Sequence, residues 1–227
     1  MKTEHVFFDL DHTLWDFEKN SALTFLEILP ASNVMVNFDM FIEAYIPINL
    51  KYWKKYREEK VSKTELRYSR LKETFDAIDY FVEDKIINHL SEEYINKLPN
   101  YNHLFDGTFE ILEYLQQKYQ LHIITNGFEE IQTLKMQKSG IREFFNEVIT
   151  SESVGVKKPN PRVFEFALEK AKTNASSSIM IGDSLEADIK GAMECGIKAI
   201  HYNSENSQRI PKNITSINHL LEIKQYL

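Results

Sequence analysis

Two aspartates close a short apolar run near the amino terminus. Residues 6–8 are β-branched or aromatic, and Asp9 and Asp11 follow directly after them. The run is too short for a helix and predicts a buried strand. A carboxylate at the end of a buried strand loses hydration, which is costly unless a partner compensates for it. Asp9 and Asp11 are therefore either ordinary turn residues or part of a functional site.

Polar residues also end two later apolar runs that predict strands. They are Thr125 and Asn126 after residues 121–124, and Asp183 after residues 179–181, with Asp188 one helical turn later. A lysine, Lys158, precedes Pro159 in the loop between these two runs. Each feature has a plain structural explanation, as a turn, a loop or a helix N-cap. Their joint occurrence at predicted strand ends favours a site instead.

Strand spacing indicates what such a site would hold. Neighbouring strands lie about 4.8 Å apart, so Asp9, Asp11 and Asp183 converge if the first strand pairs with residues 179–181. Carboxylates that close raise one another's pKa unless a cation lies among them. Oxygen ligands suit Mg²⁺, which commonly binds a few carboxylates together with a substrate phosphate. With the charge of Lys158 and the hydroxyl of Thr125, the set is typical of phosphoryl transfer.

The pattern along the chain predicts an α/β fold with an inserted helical segment. Residues 15–102 show helical periodicity, whereas helices and short apolar strands alternate from residue 103 onward. Five strands, most of them separated by helices, predict a Rossmann-like parallel sheet covered on both faces. We expect a core domain of residues 1–14 and 103–227, and a helical cap of residues 15–102. The last predicted element is an amphipathic helix over residues 216–225.

The position of the insertion suggests a lid. It follows the first strand directly, which places it over the carboxyl ends of the strands, where open α/β sheets bind ligands. The changes of pattern at residues 14–17 and 101–107 predict two hinges.

Composition narrows the classes of function. The chain has 227 residues, 43% of them hydrophobic, and a formal net charge of −7. That charge argues against a nucleic-acid backbone binder. No run approaches the roughly 20 apolar residues of a membrane span, so no membrane partner is expected. The immediate first strand and the single cysteine, Cys195, predict a cytoplasmic protein without a signal peptide. The oligomeric state is left open.

Taken together, four motifs of this chain resemble those of the haloacid dehalogenase-like (HAD) hydrolases. The motifs are Asp9-Leu10-Asp11-His12-Thr13, Thr125-Asn126, Lys158-Pro159, and Gly182-Asp183 with Asp188. The resemblance spans almost the whole chain, including a helical cap between the first and second motifs. The stretch Phe8-Asp9-Leu10-Asp11-His12-Thr13-Leu14-Trp15-Asp16-Phe17 is most similar to bacterial pyrimidine 5′-nucleotidases.

The resemblance implies a role for each motif residue. Asp9 would be the nucleophile that takes the phosphoryl group, and Asp11 would act as general acid and then as general base. Mg²⁺ would be held by Asp9, the backbone carbonyl of Asp11 and Asp183, with Asp188 in support. Thr125, Asn126 and Lys158 would hold the phosphoryl oxygens. Lys157 lies next to Lys158, and Lys158 is chosen because the family motif places lysine directly before proline.

Asp11 discriminates within the family that this chain resembles, and His12 is the one departure from the common pattern. Haloacid dehalogenases resemble the first motif but lack an aspartate at the position of Asp11, because a haloacid reaction needs no acid for the leaving group. His12 stands where the common pattern has glycine. It is either a residue whose backbone tolerates the glycine conformation, or a side chain that faces the cap and touches substrate.

The implied function is a Mg²⁺-dependent phosphomonoester hydrolase that acts on a small molecule through an aspartyl-phosphate. A nucleoside 5′-monophosphate, in particular a pyrimidine nucleotide, is the first substrate hypothesis. A sugar-phosphate phosphatase or a phosphomutase is the second, since it would share the core chemistry. A non-catalytic phosphate-binding module is an alternative of another class, and the presence of all the motif residues speaks against it.

Overall fold

A twisted parallel sheet forms the centre of the fold. In a computed structural model that describes residues 2–204 and 210–227, six strands pair in the order β3-β2-β1-β4-β5-β6, all parallel. The strands are β1 His5–Phe8, β2 Gln120–Thr125, β3 Glu147–Thr150, β4 Ser178–Gly182, β5 Lys198–Tyr202 and β6 Thr215–Ile217. The predicted α/β class with a parallel sheet is confirmed.

The first strand lies in the middle of the sheet, between β2 and β4. Phe8 of β1 is in register with Ile123 of β2 and with Ile181 of β4. The Asp9 N–H group extends this pairing by donating to the Ile181 carbonyl at 2.9 Å. Central strands of a parallel sheet are buried on both faces, which explains why residues 6–8 are fully apolar. The carboxyl ends of β1, β2 and β4 therefore meet at one edge.

The helices of this part of the chain connect successive strands. They are α5 Thr108–Gln116, α6 Glu129–Lys138, α7 Ser151–Val154, α8 Pro161–Lys170 and α9 Gly191–Glu194. On one face of the sheet, Phe7 and Met180 pack with Val163, Phe164 and Ala167 of α8 in a core without exposed side chains. Asn160 caps α8 by accepting from the Arg162 N–H group, with Pro161 in its first turn. Asparagine at the N-cap and proline in the first turn are typical of the start of a helix.

Two predicted elements differ from the structure. The expected fifth and last strand is followed by a sixth, Thr215–Ile217, and a 3₁₀ segment Leu220–Gln225 replaces the predicted helix over residues 216–225. Three residues are too few to show the alternation of a strand, and the segment is a strand because β5 offers it a free edge. A π-helical turn, Leu185–Lys190, leads into α9.

The chain divides into two compact units. One unit comprises Met1–Phe17 and Asn102–Leu227, and the other comprises Glu18–Tyr101. The second unit is helical: α1 Phe17–Ala31, α2 Phe38–Arg57, α3 Lys63–Ala77 and α4 Asp84–Lys97, followed by a 3₁₀ turn at Leu98–Asn100. A capping box of Ser62 and Glu65 opens α3, with both reciprocal hydrogen bonds present.

Aromatic side chains form the core of the helical unit. Phe25 lies with its ring centroid 4.9 Å from Phe41, 4.6 Å from Tyr45 and 4.7 Å from Tyr94. All four are at most 1% exposed. Phe41 and Tyr45 of α2 therefore belong to the hydrophobic core of this unit.

The two segments that join the units run side by side within the first unit. Trp15 and Leu104 form an isolated antiparallel bridge. The Asp16 N–H group donates to the His103 carbonyl at 3.1 Å, and the Phe105 N–H group donates to the Leu14 carbonyl at 3.0 Å. The insertion thus leaves and rejoins this unit at one point. Within residues 2–204 and 210–227, no helix combines the length and the hydropathy that crossing a bilayer would require.

Candidate active site

Three carboxylates meet at the carboxyl edge of β1 and β4. Asp9 follows β1, Asp183 follows β4, and Asp188 lies on the π-helical turn after β4. One oxygen of each lies within 4.8 Å of the others. Asp9 and Asp188 are buried, and Asp183 is partly exposed. The sequence predicted that Asp9, Asp11 and Asp183 would converge. Asp9 and Asp183 do so because their strands are neighbours, but the third carboxylate of the group is Asp188, since the Asp11 carboxylate is bound by Gln132 and Lys135 instead.

Lys158 is the cation of this cluster. Its Nζ atom lies 2.7 Å from Asp9 Oδ1 and 2.6 Å from Asp188 Oδ1, and it donates to the Ile124 carbonyl at 2.6 Å. The side chain is 1% exposed. A buried ammonium group requires such partners, because desolvation alone would neutralise it. Lys158, rather than the neighbouring Lys157, is therefore the lysine that contacts Asp9.

Asn126 holds the backbone of Lys158 in place. Its side-chain oxygen accepts from the Lys158 N–H group at 2.8 Å, and its side-chain nitrogen donates to the Lys158 carbonyl at 3.0 Å. These reciprocal bonds join the loop after β2 to the loop that carries Lys158. Asn126 therefore has a structural task that the sequence did not predict.

The electrostatics of the cluster are dominated by burial. Burial raises the pKa of Asp9 well above its ordinary value, and the charge of Lys158 offsets only part of this. Burial and the nearby Asp188 also raise the pKa of Asp183. Burial on its own would lower the pKa of Lys158, but the Asp188 and Asp9 carboxylates outweigh it and raise the pKa. Three carboxylates facing one ammonium group leave an excess of negative charge.

The donor set fits a hard divalent cation. Asp9, Asp183 and Asp188 offer oxygen ligands only, with neither histidine nor cysteine in the cluster. Oxygen ligands at a site of net negative charge suit Mg²⁺, which binds through one or two carboxylates and keeps several waters. Asp188 Oδ2 accepts from the Ser184 N–H group at 3.0 Å while Oδ1 faces Lys158. Asp188 is thereby suited to support a metal site, and Asp9 and Asp183 to ligate the ion.

Asp183 is oriented by two neighbours. The Thr13 hydroxyl donates to its Oδ1 atom at 3.2 Å. The ring of His201 on β5 hydrogen-bonds the Asp183 carbonyl through Nε2 at 2.8 Å, which makes Nε2 the protonated nitrogen. Thr13 is fully buried and belongs to the same motif as Asp9.

The carboxylate of Asp11 is bound by two residues of α6. Lys135 Nζ lies 2.6 Å from its Oδ1 atom, and Gln132 Nε2 donates to its Oδ2 atom at 2.9 Å. Gln132 also donates to the Thr125 hydroxyl oxygen at 2.7 Å. Gln132 and Lys135 were not predicted as site residues from the sequence. Both are polar residues on the helix face that also carries the apolar residues Ile131 and Met136, and this position was the signal that could have identified them.

Thr125 lies at the end of β2, where the sequence placed it. Its hydroxyl oxygen accepts from Gln132 and, at 3.1 Å, from the Gly127 N–H group. A Cβ atom on Gly127 would lie 2.4 Å from the Gln132 side chain, so a larger residue here would have to displace that side chain. The Thr125-Asn126-Gly127 turn thus brings its hydroxyl and its backbone to the same edge as Asp9.

His12 adopts the left-handed backbone conformation, with φ of 65°. Glycine adopts this region freely, and other residues do so at a cost, which explains the glycine of the common motif. The ring of His12 packs against Phe17, with centroids 4.9 Å apart. The left-handed backbone is what the first of the two explanations for His12 requires, and the second, a contact with substrate, stays a prediction.

Comparisons with known proteins identify the family. The model of the haloacid dehalogenase-like hydrolase family matches residues 6–202. The solved structure of the HAD-hydrolase YfnB from Bacillus subtilis bound to magnesium is similar, with a TM-score of 0.89 and 29% identity over 100% of this chain and 99% of that one.

Two curated relatives are phosphatases by name. The pyrimidine 5′-nucleotidase PynA of Streptococcus pneumoniae is 33% identical, over 86% of this chain and 82% of that protein. The glyceraldehyde 3-phosphate phosphatase of Methanothermobacter thermautotrophicus is 32% identical, over 98% of each.

The family match places this chain among the hydrolases, and the aspartate cluster at the carboxyl edge of the parallel sheet is consistent with that class. This chain belongs to the haloacid dehalogenase-like hydrolase family. Within that family it is a phosphatase, a phosphoric monoester hydrolase.

Proposed function

We propose that this chain is a Mg²⁺-dependent phosphomonoester hydrolase that works through an aspartyl-phosphate intermediate. The observation that carries the proposal is the convergence of Asp9, Asp183 and Asp188 within 4.8 Å, with Lys158 on Asp9. Asp9, Asp183 and the backbone carbonyl of Asp11 would hold Mg²⁺, with Asp188 in support. Bound Mg²⁺ neutralises charge where a phosphate dianion and carboxylates approach one another.

In the first step, an Asp9 carboxylate oxygen forms a bond to phosphorus as the bond to the ester oxygen breaks. Asp11 gives its proton to the departing oxygen, which leaves as an alcohol. In the second step, Asp11 takes a proton from water, whose oxygen bonds to phosphorus and releases inorganic phosphate from Asp9. Asp11 thereby ends with the proton that it lost, and the cycle balances.

Three residues hold the phosphoryl oxygens in this proposal. Lys158 supplies a positive charge beside the nucleophile. The Thr125 oxygen already accepts two hydrogen bonds, which leaves its own O–H group to donate. The Asn126 side chain is engaged on the Lys158 backbone, so its contribution is the backbone N–H group at the turn.

A nucleoside 5′-monophosphate, and a pyrimidine nucleotide in particular, is the proposed substrate. The motif around Asp9 and the relative PynA, a pyrimidine 5′-nucleotidase, support this class. The second candidate is a sugar-phosphate phosphatase or phosphomutase, supported by the glyceraldehyde 3-phosphate phosphatase relative. We propose that residues 15–102 act as a cap that selects between these esters, while the core performs the same chemistry on each.

The nucleophile is tested with Asp9→Asn on p-nitrophenyl phosphate in Mg²⁺. Removal of the attacking oxygen should lower the rate of p-nitrophenol release by more than about a thousandfold. Asp106→Asn is the matched control, because it makes the same chemical change at an exposed position of the same unit, and its rate should be that of the wild type. Equal rates in Asp9→Asn and wild type would remove Asp9 from its role.

The substrate class is tested by measuring kcat/KM over pyrimidine and purine 5′-monophosphates and a panel of sugar phosphates. We expect pyrimidine 5′-monophosphates to have the highest kcat/KM. Sugar phosphates that match or exceed them would contradict the nucleotidase assignment and favour the second candidate. Release of inorganic phosphate distinguishes hydrolysis from a mutase reaction, because a mutase transfers the phosphoryl group without releasing it.

A further inference from the structure

The Asp11 carboxylate is held on both oxygens by buried groups. Lys135 is 2% exposed and lies 2.6 Å from Oδ1, and Gln132 is 1% exposed and donates to Oδ2 at 2.9 Å. Two donors on two oxygens fix the rotation of the carboxylate about its last bond. A carboxylate that only closes a turn does not require two buried donors from another element.

The helix fixes the spacing of the two donors. Gln132 and Lys135 are three residues apart on α6, so their side chains leave the same face of the helix. Lys135 Nζ also lies 4.2 Å from the ring centroid of Trp15 and 5.4 Å from that of Phe17. Aromatic faces stabilise a desolvated ammonium group and restrict where it can move. Lys135 is thus immobilised between Trp15, Phe17 and Asp11.

Burying a lysine in this way has a cost that packing alone does not explain. An apolar side chain of similar volume would fill the space beside Trp15 without a desolvation penalty. The ammonium group has Asp11 as a carboxylate partner at hydrogen-bond distance. The lysine therefore provides an ion pair that an apolar residue could not form, and this ion pair fixes the orientation of the Asp11 carboxylate.

We infer that Lys135 and Gln132 are positioning residues that aim the Asp11 carboxylate at the ester oxygen of the substrate. The inference rests on the proposed function, in which Asp11 donates a proton to that oxygen. Each Asp11 oxygen has two lone-pair directions, and a donor occupies one on each. One lone-pair direction remains on each oxygen, and one of the two carries the single proton that passes to the substrate and, in the second step, is regained from water.

The leaving group separates this role from a purely structural one. A p-nitrophenolate ion is stable and departs without a proton, whereas the alkoxide of a nucleotide or sugar phosphate requires protonation as it leaves. A misdirected Asp11 should therefore slow alkyl phosphates selectively. A general loss of structure would slow both kinds of ester equally.

The experiment measures kcat/KM of Lys135→Met on p-nitrophenyl phosphate and on the alkyl phosphate that the wild type hydrolyses fastest. We use kcat/KM because it reports the steps through the first phosphoryl transfer, before Asp11 acts as a base. Lys138→Met is the matched control, since it removes an exposed lysine one turn further along α6. Lys135→Leu is the second variant and carries the same expectation if Lys135→Met does not fold.

The expected result is a fall of about ten- to a hundredfold for the alkyl phosphate and less than about threefold for p-nitrophenyl phosphate. Lys138→Met should leave both values unchanged. An equal fall on both esters, or no fall on either, would overturn the positioning role while leaving the proposed function intact. A wild type without Mg²⁺-dependent activity on any ester would instead contradict the proposed function, and the positioning role with it.

Discussion

The contact between Asp9 and Lys158 joins residues 149 positions apart, and it could be predicted from the sequence. Each residue begins a recognisable motif, and parallel strands bring their carboxyl ends together. Lys135 and Gln132 could not be assigned in the same way. They lie inside a helix, where a polar residue is common, and their contact with Asp11 depends on how α6 packs. Only their position on the buried face distinguished them.

The backbone at His12 leads to a prediction about two substitutions. Glycine removes the strain at φ of 65° but loses the contact with Phe17, so His12→Gly should change the free energy of unfolding by no more than about 1 kcal/mol. His12→Ala loses the contact and keeps the strain, so it should be about 1 kcal/mol less stable than His12→Gly. Urea denaturation measures both.

The activity of the same variants separates the two explanations for His12. If its role is confined to the backbone, kcat/KM of His12→Gly should stay within about twofold of the wild type. A loss of more than about tenfold would show that the imidazole contacts substrate. The aryl and nucleotide esters should be compared, because such a contact would affect the larger ester more.

At the scale of the elements, the strands were predictable and the turns that follow them were not. The apolar composition of residues 179–181 predicted β4, yet the π-helical turn Leu185–Lys190 has no comparable sequence pattern. Such turns are frequent at functional sites, where they redirect a side chain. Here the turn places the Asp188 side chain directly against Gly182. The edge strand β6 was missed because three residues show no period.

Gly182 gives a prediction for this turn. A Cβ atom there would lie 2.4 Å from Asp188 Oδ2 and 2.7 Å from Asp188 Cβ, so Gly182→Ala must displace Asp188. We expect this variant, which alters no charged or polar side chain, to lower Mg²⁺-dependent activity by about ten- to a hundredfold, because residues that support metal ligands contribute that much.

The matched comparison for Gly182→Ala is Asp188→Asn. Both variants should require more Mg²⁺ for half-maximal activity than the wild type does. A titration of activity against Mg²⁺ measures this. A Gly182→Ala variant with wild-type activity and Mg²⁺ requirement would show that Asp188 is not needed where it lies.

At the scale of the whole molecule, every residue of the candidate site belongs to the unit of residues 1–17 and 102–227. The helical unit, Glu18–Tyr101, contributes an aromatic core of its own. The sequence predicted a helical insertion from the change of periodicity alone. It did not show which faces of those helices are buried, because aromatic residues are as suitable for a core as for a nucleotide.

Metal binding should stabilise the folded protein as a whole. The folded cluster holds three carboxylates against one lysine, and the unfolded chain separates them. Mg²⁺ at a hundred times its dissociation constant should therefore stabilise the wild type by about 2.7 kcal/mol and raise the thermal midpoint by about 5–10 °C. Differential scanning fluorimetry with Mg²⁺ against EDTA measures the shift.

Asp183→Asn provides the control for that shift. Removal of one negative charge relieves repulsion within the cluster, so the variant without metal should be at least as stable as the metal-free wild type. Its midpoint should hardly respond to Mg²⁺. An equal response in Asp183→Asn and wild type would place the stabilising ion elsewhere.

The paired connecting segments have an evolutionary consequence. Because Trp15 and Leu104 are bridged, the start and the end of the helical insertion are tied together within the unit that carries the chemistry. Replacing the residues between Trp15 and Leu104 leaves this bridge, and the aspartates of the candidate site, in place. With the insertion in its proposed role of selecting the substrate, a lineage would keep one reaction and acquire new substrates by replacing a single continuous stretch of its gene.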